Sequence, residues 1–209
     1  MEEKIYVNTQ SSIFIDSDRK IYFDPYKISK NYNDAEIVFL THSHYDHFSE
    51  NDLKKVINDE TKIICPLSMK NDISELELLN EIIFVMPGDE IEVDNIPISV
   101  VYAYNTNKDF HKKSYGWVGY IIIIDGVRIY VAGDTDNNPD IANVKCDIAL
   151  VPIGGVYTMD VREAAEFVNA IKPKVVIPIH YGSIVGLENY HDTFKEMVDK
   201  DIKVVIKLF

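Results

Sequence analysis

Between Thr41 and His47 the chain reads Thr-His-Ser-His-Tyr-Asp-His, so three of its six histidines and an aspartate fall within six residues. Imidazole nitrogen and carboxylate oxygen are the donors that borderline divalent ions accept. His42 and His44 are two apart, so in extended chain their side chains leave the same face. Asp46 and His47 follow where the chain turns. One short loop thus carries two groups of ligand-type side chains, enough for two adjacent ions. A lone histidine ahead of a helix is usually a cap or a solvated residue. Burying so many polar groups together is costly unless they share a partner, and a cation is the partner they have in common.

Two further positions join this reading. Asp134 follows the apolar run Ile129-Tyr130-Val131-Ala132 at Gly133-Asp134-Thr135, where it closes a strand as the histidine run does; a plain turn is the alternative. His180 ends the apolar stretch 175–179 and precedes Tyr181-Gly182. Alone it reads as a core histidine; beside the other two pieces it reads as a ligand. The chain has no glycine-rich phosphate loop and no Gly-x-Ser-x-Gly, which leaves P-loop chemistry and a serine nucleophile unsupported.

Loops that hold such residues need rigid elements on both sides. Alternation and apolar runs predict strands over 5–7, 12–15, 20–23, 36–40, 62–65, 82–85 and 90–93. Asp24-Pro25 stops the third of them. After residue 95 strands are expected over 98–104, 119–124, 128–132, 147–151, 174–179 and 203–207, with Asp125-Gly126 as a hairpin turn. Helices are expected over 50–58, 72–80, 161–170 and 188–199. Ser49 with Asp52, and Asp160 with Glu163, have capping-box spacing. Strands and helices alternating twice over imply an α+β chain of two sheets with helices outside, one domain over 1–209, with loops of both halves at one edge.

Composition narrows the partners. The formal charge of −13, with no basic tract, would repel a nucleic acid at long range. The longest apolar stretch, 120–124, is far short of the ~20 residues that cross a bilayer. The first residues lack the basic and apolar regions of a leader, so a cytoplasmic location is expected, and homo-oligomer formation is left open. Cys65 and Cys146 read as free buried thiols, though spacing alone allows a bridge between them.

The run T-H-S-H-Y-D-H matches the H-x-H-x-D-H signature of the metallo-β-lactamase fold superfamily. A-G-D-T at 132–135 resembles its bridging-aspartate motif, and P-I-H-Y-G at 178–182 its last metal histidine. P-I-G-G-V-Y-T-M-D at 152–160 is similar to a segment of its bacterial and archaeal metal-dependent hydrolase branch, which is related to the N-acyl-phosphatidylethanolamine phospholipase D and ascorbate-6-phosphate lactonase groups. The resemblance implies a four-layer αββα sandwich with the site at one edge of both sheets. Carried over residue by residue, it makes His42 and His44 ligands of a first ion, Asp46, His47 and His180 ligands of a second, and Asp134 the bridge. The pattern departs at Asn105, which stands where a third first-site histidine is usual. His111, six residues on in a polar loop, is read as the substitute ligand, with substrate contact or plain solvation as alternatives.

The expected chemistry is hydrolysis of a small ester, a phosphodiester or a lactone, by a metal-bound hydroxide that Asp46 ligates and orients. The cofactor would be one or two zinc ions, or manganese, iron or nickel. A non-catalytic protein of the metal fold that binds a small ligand or partner, and a redox diiron centre, are the competing readings. Tyr104, Tyr115, Trp117 and Tyr181 are the expected rim of the pocket. Gly154-Gly155 would allow a close backbone approach beside it, or simply form a turn.

Overall fold

The computed structural model describes residues 1–208. The first sheet holds six strands in sequential order: β1 (Ile5–Thr9), β2 (Ser12–Asp16), β3 (Lys20–Phe23), β4 (Ile37–Phe39), β5 (Lys62–Pro66) and β6 (Glu81–Val85). β1 to β3 are antiparallel neighbours and β3 to β6 parallel ones. The second sheet comprises β7 (Glu90–Val93), β8 (Ile96–Tyr102), β9 (Val118–Ile124), β10 (Val127–Val131), β11 (Ile148–Pro152), β12 (Val175–Ile179) and β13 (Lys203–Val204). Its order is β13-β12-β11-β10-β9-β8-β7, antiparallel from β7 to β10 and parallel beyond.

Period-two side-chain alternation sorts each strand between two environments. Ile37 and Phe39 of β4 enter the core between the sheets, while Val38 faces outward beneath α1 (Glu50–Val56) and α2 (Lys70–Ser74). In β9, Ile122 and Ile124 point inward and Ile121 outward, toward the layer of α3 (Val161–Ile171) and α4 (Tyr190–Met197). Strands buried on both faces carry continuous apolar runs, which is why β11 and β12 read as unbroken hydrophobic stretches. The result is the αββα sandwich. Cys65 lies in the outer layer of the first sheet and Cys146 in that of the second, both free, so no bridge joins them.

The two sheets are tied together at the edge that matters. The buried Tyr120 hydroxyl, from β9, donates to the Leu40 carbonyl at 2.7 Å, one residue before the histidine run. The Val118 amide donates to the Thr41 carbonyl at 3.2 Å. The Asp125-Gly126 turn forms as expected, with φ of 52° and 74°, the left-handed pair that a two-residue hairpin needs.

Three local expectations are corrected. The second helix covers Lys70–Ser74 rather than 72–80; Glu77 takes a left-handed φ of 50° and Leu79 stands fully exposed, so no apolar face continues it. Ser49 and Asp160 do cap their helices, accepting from the amides of Asp52 and Glu163. Neither pair forms the reciprocal box, however. The Asp52 carboxylate instead accepts the amides of Lys27 and Ile28 at 2.9 and 3.0 Å, and Glu163 accepts that of Asn137 at 2.9 Å.

Candidate metal centre

β4 and β10 to β12 run in parallel within their own sheets, and the loops that follow β4, β8, β10 and β12 meet at one edge. They bring together all seven side chains singled out above. His42, His44, His111 and Asp134 form one group; Asp46, His47 and His180 form another. In the first, His44 Nδ1 lies 3.1 Å from His42 Nε2 and 3.3 Å from His111 Nε2, and Asp134 Oδ2 is 3.5 Å from His111 Nε2. In the second, Asp46 Oδ2 lies 3.6 Å from His47 Nε2 and 3.4 Å from His180 Nε2. Asp134 faces both groups, with Oδ1 3.3 Å from His47 Nε2 and Oδ2 3.2 Å from His180 Nε2. His111 is fully buried, which removes the solvated alternative.

The backs of the imidazoles are held by other side chains. Asp24, fully buried, accepts the Thr41 amide at 2.8 Å, the Thr41 hydroxyl at 2.6 Å and a proton of His47 Nδ1 at 2.7 Å. With its hydroxyl proton committed to Asp24, Thr41 accepts from His42 Nδ1 at 3.0 Å. With Nδ1 committed as a donor, both histidines turn Nε2 toward the centre. Asp24 escaped the sequence reading because Asp-Pro after a strand looks like a stop signal. Its place at the end of β3, paired in parallel with β4, was the available clue.

Backbone shape contributes too. His180 has φ of 55°, a conformation costly for a residue with a Cβ, and its amide is held by the Gln10 carbonyl at 3.0 Å. A Cβ at Gly154 would sit 2.3 Å from the His180 carbonyl oxygen, so this position admits only glycine while the loop stays where it is. The expected rim needs revision. Trp117 does pack on the site, with ring centres 4.6, 4.8 and 5.3 Å from His42, His44 and His111, and the exposed Tyr115 adjoins it at 5.0 Å. Tyr104 and Tyr181 are buried instead, Tyr104 with its hydroxyl donating to Asp140 at 2.7 Å. Phe110 and Tyr45, each adjacent in sequence to a site histidine, are exposed.

The electrostatics differ across the site. Burial holds His42 well below the ordinary imidazole range and His111 down to about 4, so both are neutral and able to donate a lone pair. At Asp134 burial pushes the pKa upward, but His180 and His47 outweigh it and the carboxylate stays well below its usual range. Burial likewise opposes charge on His180, yet Asp134 and Asp46 together carry it up to about 9. The donor set suits a divalent ion. His47 Nε2, His180 Nε2 and Asp134 Oδ1 are buried, converge within contact distance, and make no hydrogen bond with acceptable geometry. Buried polar atoms left in that condition call for a shared partner, and a cation satisfies all of them at once.

A sandwich of this topology with two His/Asp clusters at its open edge defines a metal-dependent hydrolase of the metallo-β-lactamase type. The beta-lactamase superfamily domain matches residues 5–180, and the chain belongs to that superfamily, in its branch of UPF0173 metal-dependent hydrolases. One such hydrolase, from Pyrococcus horikoshii, is 31% identical over 210 residues, covering 94% of this chain and 92% of the relative. A solved protein of Parabacteroides distasonis superposes with a TM-score of 0.81 at 29% identity over 98% of this chain and 93% of its own. Igni18, a metallo hydrolase from Ignicoccus hospitalis, shares the fold with a TM-score of 0.78 at 23% identity, over 97% and 93% of the two chains.

Proposed function

We propose that this chain hydrolyses a small ester, a phosphodiester or a lactone, using one or two zinc ions. In this reading His42, His44, His111 and Asp134 hold one ion and Asp46, His47 and His180 the other, with Asp134 shared. Manganese, iron or nickel would suit the same donors. The observation that carries the reading is the set of unpaired buried donor atoms on His47, His180 and Asp134 facing one another. When bound, the ions would polarise the ester oxygen and lower the pKa of a water toward ~7.

The protein's own part is orientation, proton handling and exclusion of water. Asp24 and Thr41 hold His42 and His47 in fixed tautomers. Asp46 is the carboxylate on the loop side of the second cluster, and His180 overcomes the effect of burial to keep it ionised. The carboxylate oxygen of Asp46 not taken up by the ion could accept a proton from the attacking water and return it to the leaving oxygen. Water adds across the broken ester bond, so that a phosphodiester gives a phosphomonoester and an alcohol and a lactone opens to a single hydroxy acid. Trp117 covers the flank of the first cluster, and Tyr45, Phe110 and Tyr115 offer exposed aromatic surface around it. That surface favours an ester with an apolar or aromatic group.

The test is a panel of aryl phosphodiesters, phosphomonoesters and lactones against protein loaded separately with each metal. Turnover that Asp46→Asn lowers by about 10²-fold or more supports the reading. Turnover unchanged by Asp46→Asn would assign it to another mechanism.

A further inference from the structure

The loop that carries His111 closes on itself. The Asn105 amide donates to the His111 carbonyl at 2.7 Å, and the His111 amide donates back to Asn105 Oδ1 at 3.2 Å. The same Oδ1 lies 2.9 Å from His111 Nδ1. A carboxamide oxygen only accepts, so Nδ1 carries the proton and Nε2, facing His44 and Asp134, is left bare. The orientation of the Asn105 amide is itself determined. Its Nδ2 has two acceptors, Asp136 Oδ1 at 2.9 Å and the Tyr157 carbonyl at 2.8 Å, and a flipped amide would face both with oxygen.

Asp136 is fully buried. Its Oδ2 accepts the Thr106 amide at 2.9 Å, at the start of the loop. Its charge is met by Lys108 Nζ, from the middle of the loop, which contacts Oδ1 directly and has Glu163 at 3.9 Å on its other side. A buried carboxylate deprived of its cation is strongly unfavourable, so Lys108 is pinned there, three residues before His111.

We propose that Asn105, Asp136 and Lys108 are positioning residues for the first ion, acting through His111. Asn105 selects the His111 tautomer and aims Nε2. Asp136 fixes the Asn105 amide and the start of the loop. Lys108 latches the middle of the loop to the same carboxylate. None of the three is a ligand. The inference rests on the reading that the first cluster holds an ion.

The experiment compares His111→Ala, Asn105→Ala, Lys108→Met and Lys108→Arg with the unaltered chain. Ions per chain are counted after zinc loading, first-site affinity is measured by competition with a chelator, and the visible absorption of cobalt-loaded protein reports coordination geometry. His111→Ala is expected to lose one ion. Asn105→Ala and Lys108→Met should keep the second ion, bind the first about 10- to 100-fold more weakly and alter the cobalt spectrum. Lys108→Arg, which keeps the charge, should restore both. Lys108 lies at the surface end of the network, so its variants report even where Asn105→Ala fails to fold. Loss of an ion in His111→Ala, with affinity and spectrum untouched in Asn105→Ala and Lys108→Met, would overturn the latch alone. Full ion content in His111→Ala would overturn the reading of the first cluster, and the latch with it.

Discussion

The two clusters use the same donor types but are assembled differently. In the second, every residue leaves the end of a strand or a short loop beside one, and a buried carboxylate, Asp24, orients His47. In the first, His111 arrives on a loop of its own and is oriented by a neutral amide. The second group is also the more highly charged, since Asp46 and Asp134 hold His180 above its ordinary range while His42, His44 and His111 are all pushed below theirs. A site whose side chains leave strand ends directly depends chiefly on the backbone that bears them and on one buried carboxylate. A site set through a side-chain network moves its dependence to residues that never touch the ion.

Asp134 is common to both clusters, so Asp134→Ala should abolish the distinction altogether: both ions are lost, and hydrolysis falls to background in elemental analysis and turnover assays. Retention of one full ion would show that the clusters are more independent than the shared carboxylate implies. Removing the metal from the unaltered protein should lower its melting temperature, because an ion held by residues from both sheets would bind only the folded state. At a free ion concentration of ~1,000 times Kd the effect is about 4 kcal/mol, and calorimetry with and without chelator measures it. Asp24→Asn should weaken the second ion by about 10- to 100-fold while a cobalt probe of the first changes less, the mirror of the effect expected at Asn105.

The smallest effect concerns the scaffold on the first sheet's side. Asp52 ties residues 27 and 28 to α1, and although burial opposes its charge, Lys55, Ser49 and two amides lower its pKa. Asp52→Asn should cost about 1–2 kcal/mol at neutral pH, read from denaturant unfolding. A carboxylate with a lowered folded pKa contributes stability above its unfolded value of ~3.9 and loses it as pH falls through the folded value. The gap between Asp52→Asn and the unaltered chain should therefore close in acid below about pH 4. A gap that persists there would mean packing rather than charge holds the segment.

What could be read in advance followed from local rules. Alternating and unbroken apolar runs gave away most strands because each strand meets a core on one or both faces. The His42-to-His47 run stood out because its donors are contiguous. His111 was left between three roles, since nothing in Thr106-Asn107-Lys108-Asp109-Phe110 says that the chain doubles back; that is decided by Asn105 and Asp136, 31 residues apart. Asp24 and the uses of Asp52 and Glu163 were hidden for the same reason. Each carboxylate sits at a local capping or turn position but spends its oxygens on amides or imidazoles distant in sequence. The second helix ends at Ser74, well short of residue 80, ahead of the left-handed turn at Glu77.

The hydrogen bond from Tyr120 to the Leu40 carbonyl, spanning 80 residues of chain, has a consequence for biosynthesis. The candidate ligands at 42–47 leave the ribosome long before Asp134 and His180, and before the strand whose tyrosine steadies their loop. The nascent first half therefore presents a run of histidines with neither its bridge nor its brace. On the proposed reading, neither cluster could take up its ion in full until residues 134 and 180 have emerged and the two sheets have closed.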